Sequence, residues 1–157
     1  MLREGAIKFL ADDMVGKLAK WLRILGHDVE YFHSIDDEKL ISIANSEVRI
    51  LLTRDKNIAE SGKVRRCILI ESDDYREQLR QVFRLLALKV TEELIFSRCL
   101  ICNEKLKGIS KEEVSGKVPP FVFETRDEFV ICEKCDKIYW KGTHNRGVEE
   151  ALKKLFA

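Results

Sequence analysis

Acidic residues recur where apolar runs give out. Asp12 and Asp13 follow AIKFLA, Asp36 and Asp37 follow DVEYF, Asp55 follows RILLT, and Asp73 and Asp74 follow CILIE. Asp is a favoured helix N-cap, so a single acid at such a junction needs no further reason. Four junctions, three of them doubled, ask for more. Carboxylates gathered in one place repel each other unless divalent cations neutralise them, and hard oxygen ligands suit Mg²⁺ or Mn²⁺. Within a pair, one Asp can cap while the other faces the site: Asp12 is expected to hold a cation and Asp13 to cap. Asp55 is the least cap-like, because TRD finishes its strand and only a short helical segment follows.

A second set of ligand types lies further on. Cys99 and Cys102 in CLIC, with Cys132 and Cys135 in CEKC, have the two-knuckle spacing of a Cys₄ zinc site. Asn103 and Asp136 stand directly after the two knuckles, where a residue tolerant of positive φ lets backbone N–H groups turn toward sulfur. Four thiolates leave no open coordination position, so this zinc is expected to hold structure.

The elements that must position these groups are legible as alternation. Residues 6–11, 28–32, 49–53 and 67–71 read as strands. Between them lie helical patterns: Val15, Leu18, Leu22 and Leu25 on one face, closed by Gly26; then Leu40, Ile41, Ile43, Ala44 and Val48, capped by Ser34 or Asp36. After the fourth strand come Leu79, Val82, Phe83 and Leu86, with Ser72 or Asp73 as cap. Strands alternating with helices predict an α/β fold with a parallel sheet covered on both sides. All four acidic junctions then share the carboxyl edge of the sheet, where open α/β sheets bind ligands.

Two modules are expected, 1–96 with the acids and 97–157 with the cysteines. In the second, 121–124 and 128–131 read as a hairpin, 137–140 as a returning strand, and the end of the chain as a helix carrying Val148, Ala151, Leu152 and Leu155. Trp140, Lys141, His144 and Arg146 cluster before that helix and could touch a phosphate or a base. The net charge of +1 gives no global basic field. No apolar run is long enough for a membrane span, and MLREGAIKFLADD lacks the apolar core of a signal peptide. Paired CxxC without a secretion signal predicts a reducing, cytoplasmic setting.

DDMVGKLAKWLRILGHDV, DDEKL, RILLTRD, SRCLICN and CEKCDKIYWKGTH, in that order, resemble the Mut-seven C-terminal ribonuclease family, a PIN-like fold with an appended zinc ribbon. The resemblance covers nearly the whole chain. It departs at Val15, where Leu is usual, and at Asn145, where an aromatic often follows the His. It implies metal-dependent hydrolysis of RNA by clustered acids. Asp12, Asp36 or Asp37, and Asp55 match the family's acids, with Asp73 or Asp74 a looser match. Mg²⁺ or Mn²⁺ would be held by Asp12, Asp37 and Asp55, while Lys17, Arg23 and Arg54 would neutralise phosphates. Two other classes fit parts of the pattern: a silent RNA-binding module whose acids only cap helices, and a receiver-like domain phosphorylated at Asp55, with Ser72 after its fourth strand.

Overall fold

The computed structural model describes residues 7–140 and 143–156, without the side chains of 143–146. The described chain forms two compact units that divide after Asn103. No helix among the described residues is long and apolar enough to cross a membrane.

The first unit alternates strand and helix. β1 (Lys8–Ala11) leads through a 3₁₀ turn (Asp13–Val15) into α1 (Gly16–Ile24), and β2 (Asp28–Tyr31) into α2 (Asp37–Ser46). Then β3 (Ile50–Thr53) precedes α3 (Lys56–Glu60), and β4 (Cys67–Leu69) precedes α4 (Tyr75–Leu86). The four strands are parallel in the order β2-β1-β3-β4. Ala11 is level with Tyr31 on one side and Leu52 on the other, and Thr53 is level with Leu69.

β1 and β3 are central, and their residues show it: Phe9, Leu10, Ala11, Leu51, Leu52 and Thr53 have no exposed surface. Central strands of a parallel sheet are buried on both faces, hence continuous apolar runs rather than alternation. On one face Leu10 and Leu51 pack with Leu40, Ala44 and Ile58 of α2 and α3. On the other, Phe9 meets the edge of the buried His27 ring, which in turn meets Phe83 of α4. Each fully buried Leu here contributes roughly 1.5–3 kcal/mol of transfer free energy.

Helix ends follow local chemistry. α1 closes as a Schellman motif: His27 N–H reaches Leu22 O at 2.9 Å and Gly26 N–H reaches Arg23 O at 3.0 Å. Gly26 has φ +92°, and a Cβ there would lie 2.3 Å from Leu94 O, so both backbone and space demand glycine. Val48, expected on the buried face of α2, falls beyond its end and is 58% exposed.

The second unit contains a three-stranded antiparallel sheet, β5 (Lys107–Ile109), β6 (Phe129–Cys132) and β7 (Lys137–Trp140), in the order β5-β6-β7. Two short helices, α5 (Lys111–Val114) and α6 (Pro120–Thr125), interrupt it, and α7 (Thr143–Phe156) buries Val148, Leu152 and Leu155. The expected strand at 121–124 is instead α6, and β6 pairs with β5 and β7. The reason is the Pro119–Pro120 pair: Pro120 stands in the first turn, where its fixed φ suits a helix and its missing N–H costs nothing. Of the expected cluster before α7, Lys141 and the side chains of His144 and Arg146 lie outside the described residues.

A receiver domain would need a fifth parallel strand carrying a lysine. After α4 the chain runs through a 3₁₀ turn at Glu92–Leu94 to the Cys99 knuckle, and no such strand exists among the described residues.

Candidate active site at the carboxyl edge of the sheet

In the order β2-β1-β3-β4, consecutive connections leave β1 in opposite directions, so the topological switch point lies between β1 and β3. Asp12 follows β1 and Asp55 follows β3, which places both at that crevice.

Asp12 is 5% exposed. Its N–H donates to Leu52 O of the neighbouring strand at 3.1 Å. Its Oδ1 accepts the Met14 N–H at 2.9 Å, and its Oδ2 accepts the Thr53 hydroxyl. Thr53 Oγ1 also accepts the Asp55 N–H at 3.0 Å. One buried hydroxyl therefore ties the two acids together. Burial pushes the Asp12 carboxyl above its ordinary pKa, against the bonds from Thr53 and Met14, and the charges of Asp13 and Asp55 push it the same way.

Capping falls on other residues than expected. Asp12 caps the 3₁₀ turn, whereas Asp13 is exposed within it. The tight turn starts directly after the strand, so the first acid meets the orphan N–H groups. Asp55 is also a cap: its Oδ1 accepts from Asn57 N at 2.8 Å and Ile58 N at 3.4 Å. A five-residue helix exposes its first-turn donors as fully as a long one. Among the described residues, Asp55 Oδ2 accepts no hydrogen bond and remains available to a ligand.

The outer acids are more dispersed. Asp36 caps α2 through Lys39 N at 2.8 Å and is exposed, as is Asp37. Asp37 lines an open cleft of about 410 Å³ with Asn57 and Ile58, the two residues whose N–H groups Asp55 caps. Beyond β4, the cap of α4 is Asp74 rather than Ser72 or Asp73, accepting from Arg76 N at 2.8 Å. Ser72 Oγ instead accepts the Asp74 N–H. The Arg76 N–H, and its guanidinium at 3.3 Å, hold the Asp74 carboxyl below its usual pKa. Asp73 is exposed. Two buried glutamines fasten this loop: Gln78 Nε2 donates to Ser72 O, and Gln81 pairs with Leu69 O and Glu71 N. Among the described residues, no group of three carboxylates is gathered as a metal-holding set.

The three basic residues separate into distinct roles. Arg54 stands beside Asp55, and its Nε is buried without a hydrogen-bond partner. Lys17 is exposed at the start of α1, its Nζ 4.2 Å from the Tyr75 ring centroid. Arg23, expected on phosphate, is 6% exposed and committed elsewhere. Its Nε donates to Val29 O at 2.9 Å and its NH1 to Leu100 O and Ile101 O at 3.1 and 3.2 Å. It is a structural clamp on the Cys99–Cys102 loop, and burial lowers its pKa. Asn103 completes that clamp, accepting Val29 N–H and donating to Asp28, which is salt-bridged to Arg49 at 2.7 Å.

Both knuckles have the anticipated backbone. Asn103 has φ +75° and Asp136 +56°, and Cys135 N–H points to Cys132 Sγ at 3.4 Å. The sulfurs of Cys99, Cys102, Cys132 and Cys135 all lie within 4.8 Å of one another. Two are buried and two half-buried, a donor set that could hold a zinc ion.

The Mut7-C RNAse domain family matches this chain over residues 7–152, and the chain belongs to it. The human protein named exonuclease mut-7 homolog is 32% identical over 104 residues, covering 62% of this chain and 12% of the human protein. The chain thus spans about an eighth of the curated relative's length. No solved structure matches significantly.

Proposed function

We propose that this chain is a metal-dependent ribonuclease that hydrolyses RNA phosphodiester bonds at the β1/β3 crevice. The observation that carries the reading is the Asp12–Thr53–Asp55 linkage at the switch point of the sheet. The family membership and the human relative's name support the reaction class.

The donor set fits a hard divalent cation. Asp12 is buried with its ionised form disfavoured by burial and by two neighbouring acids, and Asp55 keeps an unengaged oxygen. A divalent cation held by Asp12 and Asp55 would relieve that conflict. Asp12 and Asp55 would hold Mg²⁺ or Mn²⁺, with Asp37 as the third candidate from the α2–α3 cleft. Such an ion supplies activation of water and neutralisation of charge on the phosphate.

The chain's own residues supply positioning. Thr53 and the Met14 N–H fix the rotamer of Asp12, leaving little reorganisation to the reaction. Arg54, whose Nε lacks a partner, can place a guanidinium on the scissile phosphate, and Lys17 offers a charge nearby on α1. Hydrolysis then forms a P–O bond to water and breaks the bond to the ribose oxygen, which takes up a proton. Asp36, Asp73 and Asp74 are assigned to helix starts and to the rims of the site. A zinc ion held by the four cysteines would stabilise structure, and RNA is the partner.

The deciding experiment compares wild type with Asp12→Asn and Asp55→Asn on RNA in Mn²⁺ or Mg²⁺. Asparagine keeps the capping oxygen and removes the charge. Folded but inactive variants establish the acid pair; equal behaviour of all three proteins returns the acids to capping alone and favours a silent RNA-binding module.

A further inference from the structure

The sequence patterns gave Trp21 and Tyr75 no role. In the fold they come together on one side of the acid edge. The two rings stack with centroids 5.8 Å apart and planes 15° from parallel. Lys17 Nζ stands 4.2 Å from the Tyr75 centroid, and the Arg76 guanidinium 5.5 Å from it. Trp21 and Tyr75 are each half-buried. Lys17, Tyr75, Arg76 and the 60%-exposed Met14 line a cleft of about 320 Å³ together with Asp73 and Asp74, while Trp21 stacks on Tyr75 without lining the cleft itself. That volume is on the scale of a small-molecule site.

We propose that the Trp21–Tyr75 stack, with Lys17 and Arg76, is a subsite that takes an unpaired nucleotide of single-stranded RNA, stacking its base on the aromatic surface and placing its phosphate against Lys17. The proposal rests on the ribonuclease reading only for the class of ligand. Aromatic rings ringed by cations are the recurring chemistry of single-strand recognition, because every base has a π-face and every nucleotide a phosphate. Arg76 is shared with Asp74 at 3.3 Å, which limits repulsion between that carboxylate and an incoming phosphate. Met14 adds exposed apolar surface for the edge of a base. Met14 lies two residues from Asp12 and donates its N–H to that carboxylate. A nucleotide held here lies beside the chemistry, so the strand crosses from α4 and α1 toward Asp12 and Asp55. Duplex RNA keeps its bases stacked on each other and cannot offer a free face.

Trp21 supplies the readout. The chain has two tryptophans, so Trp140→Phe leaves Trp21 as the reporter. The titration uses no added divalent cation, so that no cleavage occurs, and three probes: single-stranded oligoadenylate, the same sequence in a duplex, and inorganic polyphosphate. Oligoadenylate is expected to quench Trp21 fluorescence saturably, and the other two to do so at least tenfold more weakly. Tyr75→Leu is expected to weaken binding about tenfold, in line with the loss of one stacked base. Tyr75→Phe should retain wild-type affinity. Lys17→Gln, at an exposed position that spares folding, should weaken binding several-fold and flatten its salt dependence.

Equal quenching by polyphosphate would overturn the stacking subsite in favour of a phosphate site alone. Unchanged affinity in both Tyr75→Leu and Lys17→Gln would reduce the cluster to packing between α1 and α4. Quenching without cleavage in Mn²⁺ would leave the subsite standing and remove the nuclease; cleavage without quenching would do the reverse.

Discussion

Thr53 donates its hydroxyl to Asp12 Oδ2 while accepting the Asp55 N–H at 3.0 Å, so a side chain with no exposed surface aligns the ends of two neighbouring strands. Thr53→Val keeps the shape of the strand and removes both bonds. Outer groups that orient metal-binding carboxylates typically cost 10- to 100-fold when removed. RNA cleavage is therefore expected to fall by about that factor in Thr53→Val. Thr53→Ser, which keeps the hydroxyl, should retain most activity. Steady-state kinetics in Mn²⁺, with circular dichroism as the folding control, checks this; full activity in Thr53→Val would detach Thr53 from the site.

Asp12 makes the fold pH-sensitive in a defined direction. Its folded pKa lies above the ordinary 3.8, chiefly through burial. The folded state thus binds its proton more tightly than the unfolded chain does. The contribution of Asp12 to stability is full below the unfolded value and is lost as pH rises through the higher folded one. Asp12→Asn lacks this dependence. Without divalent ions at neutral pH it should melt above wild type, since it carries no buried charge there. Mn²⁺ should raise the melting temperature of wild type and leave the variant unmoved. Calorimetry of both proteins from acid to neutral pH, with and without Mn²⁺, reads the difference while the other carboxylates cancel.

The strand–helix alternation was legible because β1 and β3 are continuous apolar runs and because α1, α2 and α4 bury faces of helical period. The acidic junctions were legible for the same reason, since a parallel sheet sends every strand end to one edge. What a one-dimensional pattern lacks is the inventory of nearby backbone groups. Asp13 lost the cap because a 3₁₀ turn begins one residue after the strand. Arg23 was expected on phosphate, yet its long stem delivers the guanidinium to three carbonyls. Thr53 gave one faint signal, a hydroxyl ending an otherwise aliphatic strand, and that signal needs the neighbouring strand to become meaningful. Residues 121–124 read as strand from Phe and Val alone, where Pro119 and Pro120 carried the contrary information.

Arg54 should behave as a substrate residue. Its Nε is buried without a hydrogen-bond partner. Arg54→Gln removes that unpartnered donor and is expected to leave the melting temperature within about 2 °C of wild type. Cleavage efficiency should drop about tenfold or more, the loss of one charge-assisted contact to phosphate. A stability loss with unchanged kinetics would mark Arg54 as structural.

Arg23 should behave in the opposite way. Arg23→Gln leaves the carbonyls of Val29, Leu100 and Ile101 without their buried donor. Removing a charged donor from buried acceptors costs about 1.5–3 kcal/mol. Unfolding in urea should therefore show a loss of that order, while the folded fraction cleaves RNA at the wild-type rate. The same clamp holds the Cys99–Cys102 loop, whose Asn103 accepts the Val29 N–H at 2.9 Å. Zinc should consequently be lost to a competing chelator faster in Arg23→Gln than in wild type, followed by the absorbance of a released-zinc indicator. A variant that keeps its stability and its zinc but loses RNA affinity would restore Arg23 to the phosphate role that its sequence position suggests.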